Sequence, residues 1–123
     1  MLLGDSANRD RSPLVKLVPF RRNSRSRRLD RAAMVIGGST LFDADWYLSR
    51  YPDVAESGLD PLRHYVEFGW REGRDPSLFF STRGYLKANR DIAEQGINPL
   101  LHYIEHGETE GRTAPGVRSA PAR

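Results

Sequence analysis

The sequence contains no cysteine. That excludes disulfide staples, thiolate nucleophiles and thiolate metal sites together, and it makes a reducing compartment the simplest expectation. Long apolar runs are missing too. LVKLVPF is broken by Lys16 and Pro19, and AAMVIGG is short; neither approaches the roughly 20 apolar residues of a membrane-crossing helix. The opening MLLGDSANRDRS carries Asp5, Arg9, Asp10 and Arg11 where a secretory leader needs an uninterrupted apolar stretch. The expected location is the cytoplasm, extended to the periphery of the inner membrane by the basic arm described next. Lysine is scarce, with 2 against 17 arginines, a bias that reads as a GC-rich genome rather than as function.

The net charge of +3 conceals a division. Arg9 to Arg31 holds nine basic and two acidic residues, a local charge of +7, whereas Phe42 to Arg112 holds eight basic and thirteen acidic residues, a local charge of −5. The high pI therefore belongs to an arm, and the body is acidic. Residues 1–41 are accordingly expected to be a basic, largely disordered arm. Its cluster FRRNSRSRRLDR contains Arg21, Arg22, Arg25, Arg27 and Arg28, candidates for contact with phosphates or an anionic membrane surface. The alternative is a solvated tail that aids solubility or touches its own acidic body. No aromatics interleave with the arginines to stack bases, which argues against nucleic acid.

The body repeats itself. Phe42 to Arg74 aligns with Phe80 to Arg112 at an offset of 38, with 16 identities in 33 positions. DPLRHYVEFGWREGR returns as NPLLHYIEHGETEGR. A single active site needs its acid, base or ligand once, so a constellation copied at fixed spacing points to a folding unit. Asp60-Pro61 and Asn98-Pro99 each combine an N-cap residue with proline at the first helical position. Leu62, Tyr65, Val66 and Gly69, like Leu100, Tyr103, Ile104 and Gly107, follow a helical spacing, and Gly69 and Gly107 are expected to end their helices in the left-handed conformation. Asp43 or Asp45 and Ser81 are expected to cap helices further upstream. The prediction is an all-α fold of two tandem 38-residue units, 42–79 and 80–117, followed by a flexible tail, 118–123. Two copies are few for a stacked array, so the units pair face to face or are covered by Met34 to Leu41, a second chain forming a homo-oligomer, or another domain.

Several residues invite chemical readings. His64 with Glu67 and His102 with Glu105 are spaced as metal or acid–base pairs, but two ligands do not close a zinc site and the pair is duplicated. A histidine satisfied by a nearby carboxylate or backbone group is the preferred reading. Asp43-Ala44-Asp45 matches a cation-holding Asp-x-Asp, yet Ser81 and Arg83 replace the two acids in the second copy and capping explains both versions. Arg74 and Arg112 end the copies and suit a phosphate or a sugar carboxylate, or an acid of their own or the neighbouring unit. Trp46 and Trp70 are either a platform for a sugar ring or cover for the apolar seam, and the seam is preferred. No catalytic residue, metal or cofactor is expected.

The pattern F-D-x-x-W/Y-Y-L, Y/N-P-D-V-A, G-x-D/N-P-L-x-H-Y and E-G-R, carried by Phe42 to Phe80 and more loosely up to Arg112, where Gly84, Asn89, Arg90 and Thr113 depart from it, resembles the tandem repeats that precede the catalytic domain in bacterial surface-polysaccharide glycosyltransferases. An arginine-rich lead-in such as RRNSRSRRLDR is similar to what stands before the first repeat there. The resemblance implies a non-catalytic accessory module that docks a glycosyltransferase domain, another protein or a saccharide. A small regulatory protein acting through its arm on nucleic acid or membrane, and a remnant of a larger glycosyltransferase, are the alternatives.

Overall fold

Asn23 opens the first helix. In the computed structural model, which describes residues 23–116, its side-chain oxygen accepts a hydrogen bond from Ser26 N at 2.8 Å. That bond satisfies one of the donors a helix leaves free at its start. Helix α1 then runs Ser24–Gly37. Leu29, Ala32, Ala33 and Ile36 fall at i, i+3, i+4 and i+7 on one face, and this stripe lies on the core with Ile36 wholly buried. The two alanines let the helix approach closely, and Gly37 passes so near Leu62 that an added Cβ would sit 2.9 Å from Leu62 Cδ2.

The expectation of a disordered arm over 1–41 is thereby corrected for residues 24–37. Helix burial of an apolar stripe outweighs the polar, arginine-rich composition of the other faces. Residues 1–22, including Arg21 and Arg22, lie outside the described residues, as do 117–123 and with them the expected tail.

The remaining helices are short: α2 Ala44–Arg50, α3 Pro52–Ser57, α4 Pro61–His64, α5 Thr82–Ala88, α6 Arg90–Gln95 and α7 Pro99–His102. The fold is all-α, and among the described residues the only extended pairing is an isolated bridge between Ser77 and Phe80. No described helix is long and apolar enough to cross a membrane. The bounds of α2, α3 and α4 recur in α5, α6 and α7 38 residues later. Their starts are chemically fixed. Asp43 accepts from Trp46 N at 3.0 Å and Ser81 from Gly84 N at 2.9 Å. Asp60 accepts from Arg63 N at 3.0 Å ahead of Pro61, and Asn98 accepts from Leu100 N at 3.0 Å ahead of Pro99.

Helices α4 and α7 each widen into a π turn, Tyr65–Gly69 and Tyr103–Gly107. Trp70 N reaches Tyr65 O at 3.1 Å and Glu108 N reaches Tyr103 O at 3.0 Å, five residues back in each case. Gly69 and Gly107 were expected in the left-handed conformation; they are not there, and the positive φ values belong to Gly58, Gly73, Gly96, Gly111 and Gly116. The reason is a close approach. A Cβ on Gly69 would lie 2.2 Å from the Tyr47 hydroxyl, and one on Gly107 2.2 Å from the Tyr85 hydroxyl.

The core is continuous through these elements. Tyr47, Tyr65, Tyr85, Ile36 and Leu100 are fully buried, with Val54, Val66, Ile92 and Phe80 beside them. Leu62 is half-buried under α1, whereas its counterpart Leu100 is fully buried. Between Arg74 and Thr82 the chain is stitched by polar groups. Thr82 Oγ1 donates to Arg74 O at 2.7 Å and therefore accepts from the Tyr65 hydroxyl at 2.9 Å, while Thr82 N donates to Asp75 Oδ1 at 2.9 Å. Helix α1 lies across α4 and α7, joined by ion pairs of Arg25 with Glu67 at 3.2 Å, of Arg63 with Asp30 at 2.5 Å, and of Arg31 with Glu105.

Candidate functional site

The duplicated polar residues converge on one another. Tyr47 projects from α2 to place its hydroxyl 2.8 Å from Nδ1 of His64 at the end of α4, and Tyr85 meets Nδ1 of His102 at the same 2.8 Å. Both histidines are buried, and both tyrosines are shielded completely. Burial pushes the phenol pKa of Tyr47 and Tyr85 up. It also holds the imidazoles of His64 and His102 below their ordinary value, with the Arg74 and Arg112 charges adding to the effect and Glu72, Asp53, Glu110 and Asp91 opposing it. Two neutral partners result, a phenol that is a poor acid and an imidazole that is a poor base. This is a fastener rather than a proton relay.

The titration has a sign that can be tested. A histidine whose folded-state pKa is depressed binds fewer protons folded than unfolded in the interval below about pH 6.5. Its stabilisation is complete above that pH and is lost as the pH falls toward the folded-state value. Melting temperatures measured by circular dichroism are therefore expected to drop between pH 7 and pH 5, and to drop less in a His64→Gln/His102→Gln variant. An equal drop in both proteins contradicts the assignment. Asp53, Asp91 and Glu110, whose carboxyls are held low by hydrogen bonds from Arg74 or Arg112, act only at more acid pH.

Glu67 and Glu105 do not join the histidines; they pair with Arg25 and Arg31 of α1. Asp43 serves as a cap, and among the described residues no three His, Asp or Glu side chains gather as a metal site would require. The guanidinium of Arg74 grips Asp53 with two bonds of 2.9 and 2.8 Å, reaches Glu72 at 2.8 Å and lies 4.8 Å from the Tyr51 ring. Arg112 repeats this with Asp91 at 2.9 Å twice and Glu110 at 2.8 Å, and Asn89 replaces Tyr51 as its third contact at 3.3 Å. Both arginines thus pair with acids of their own copy, which occupies the bidentate edge a ligand would use.

Trp46 packs edge-on to Tyr51 at 6.2 Å. Trp70 is buried between α1 and the connection from α6 to α7, with the Arg71 guanidinium 4.5 Å above its ring. The two tryptophans do not form one platform. Of the arm residues, Arg25 is paired, Arg27 is exposed on α1, and Arg28 lines a cleft beside Trp70. That cleft, including Asn98, was not anticipated from the sequence. Asn98 reads simply as a cap there, and only the substitution of an amide for Asp60 hinted at a second use for its nitrogen. No protein-family model, curated protein or solved structure matches this chain.

Proposed function

We propose that this chain is a non-catalytic helical binding module of two tandem units, associated with glycosyltransferases of bacterial surface-polysaccharide biosynthesis and docking a partner protein or a saccharide. One observation carries the non-catalytic half of this reading: every duplicated candidate for chemistry is engaged in an internal bond, His64 and His102 with tyrosine hydroxyls and Arg74 and Arg112 with carboxylates. The resemblance of the F-D-x-x-W-Y-L and E-G-R motifs supports the context. The acidic body is the docking surface in this reading. Arg25 and Arg31 on α1, being engaged with Glu67 and Glu105, speak against an arm free to wrap nucleic acid.

The test uses purified full-length chain with a panel of nucleotide-sugar donors and oligosaccharide acceptors. No transferred sugar is expected above the uncatalysed background. Measurable turnover that survives repurification would overturn the reading.

A further inference from the structure

A cleft of about 380 Å³ opens between α1, the π turn after α4, and the connection from α6 to α7. We infer that it is a binding site for a small phosphomonoester, with the phosphate held at the Arg28 and Arg71 guanidiniums and the ester body against the Trp70, Ile97 and Leu101 wall.

Charge is the first argument. Arg25, Arg28 and Arg71 line the cleft with a single carboxylate, Glu67, and Glu67 is engaged by Arg25 at 3.2 Å. Arg28 has no ion pair among the described residues, and Arg71 lies over the Trp70 ring rather than beside an acid. Two guanidiniums thus border the cleft without carboxylate partners. A phosphomonoester carries close to two negative charges at neutral pH and offers three acceptor oxygens, which matches two forked donors better than a carboxylate does.

The second argument is independent of charge. Asn98, in the wall of the same cleft, is only 7 % exposed, and its Nδ2 is the one buried side-chain polar atom among the described residues that lacks a hydrogen-bond partner. Its amide cannot simply be turned over. Oδ1 accepts from Leu100 N at 3.0 Å and Leu101 N at 3.3 Å to cap α7, so the N–H donors are held pointing away from the helix. Buried donors without acceptors are rare in folded proteins, and such a donor takes its partner from water, an ion or a ligand. At the corresponding position of the first copy, Asp60 caps α4 equally well at 3.0 Å, is exposed, and has no donor to leave unpaired. The amide nitrogen is thus unnecessary for capping and is available to an ester or phosphate oxygen. The volume lies within the range of small-molecule sites, and apolar walls with a few convergent polar groups are their usual composition.

A phosphomonoester reaches such a site either as a soluble molecule or as the headgroup of phosphatidic acid in a membrane. This inference rests on the cleft alone and stands whether or not the chain serves polysaccharide synthesis. In the test, phenyl phosphate is titrated into full-length protein carrying Trp46→Phe, so that Trp70 is the reporting fluorophore, and phosphatidylcholine vesicles with and without phosphatidic acid are tested by co-sedimentation. Saturable binding of phenyl phosphate, absent with phenol, is expected, weakened at least about tenfold by Arg28→Gln or Arg71→Gln, each removing a charge-assisted contact. Asn98→Asp, which keeps the capping oxygen but removes the donor, is expected to abolish it. Arg28 is exposed, so its variant also keeps the test valid if Asn98→Asp melts early. Retention on phosphatidic acid vesicles, lost in Arg28→Gln, assigns the lipid source, and binding of phenyl phosphate alone assigns a soluble ester. Failure of both probes, or binding unchanged by Arg28→Gln and Arg71→Gln, overturns the inference.

Discussion

A chain cut back to Ser39 is expected to lose its cooperative thermal transition. Removing α1 uncovers the surface against which Ile36, Ala32 and Ala33 are buried and leaves a body of about 80 residues, a size at which one apolar core is marginal. Two kinds of contact hold α1 in place, and their magnitudes decide which matters. Its ion pairs, Arg25–Glu67 and Asp30–Arg63 among them, have side chains that remain one-third to two-thirds exposed, and pairs of that kind contribute about 0–1 kcal/mol each. The apolar stripe contributes more, since truncating a buried isoleucine to alanine costs about 2–5 kcal/mol. A domain of this size is stabilised by about 5–14 kcal/mol in total. Ile36→Ala is therefore expected to remove a large share of the stability, whereas high salt, which screens the ion pairs, is expected to change it little. Denaturant titration followed by circular dichroism distinguishes the two. A truncated chain that melts as the full chain does would show that α1 is an appendage.

Gly69→Ala is expected to be about as damaging, by about 2–6 kcal/mol. The methyl group would meet the Tyr47 hydroxyl at 2.2 Å, and the ring has no room to retreat because Tyr47 is fully buried and packed on Tyr51 at 4.9 Å. Overpacking of this kind costs about 1–3 kcal/mol. Displacing the hydroxyl from His64 adds about 1–3 kcal/mol for a buried polar group left unpaired. The hydroxyl itself is the obstacle, since the ring carbon that bears it would lie at 3.4 Å, an ordinary contact. It follows that Tyr47→Phe relieves the clash. In a double-mutant cycle, Tyr47→Phe/Gly69→Ala is expected to be more stable than the sum of the single losses by about 1 kcal/mol or more, the range for residues in direct contact. Gly107 and Tyr85 should give the same coupling. Strict additivity at both pairs would mean that the glycines are needed for some other reason.

Part of this architecture was legible in the sequence. Caps and helix starts were legible because they are local. Asp43, Ser81, Asp60 and Asn98 act within three residues of their own position, and proline at the first helical position needs no tertiary context. Two features escape a local reading. Arginine density hides helix α1, although LDRAAMVI carries Leu29, Ala32, Ala33 and Ile36 at helical spacing, the apolar periodicity of a buried face. At Gly69 and Gly107 a tertiary contact takes the place of helix termination, and the nearest left-handed glycines after them are Gly73 and Gly111, four residues on. Long-range partners leave little local trace. Even so, Tyr47 with His64 and Asp53 with Arg74 are all identical in both copies, and polar residues duplicated together are candidates for bonding together.

The most direct measurement of the central claim, that the twin histidines are structural fasteners, is a ¹⁵N NMR titration of the three imidazoles. His64 and His102 are expected to titrate in parallel below the free-imidazole value, with Tyr47→Phe perturbing His64 and Tyr85→Phe perturbing His102. Resonances that titrate at the ordinary value and ignore both tyrosine substitutions, or that shift when Zn²⁺ is added, would contradict it.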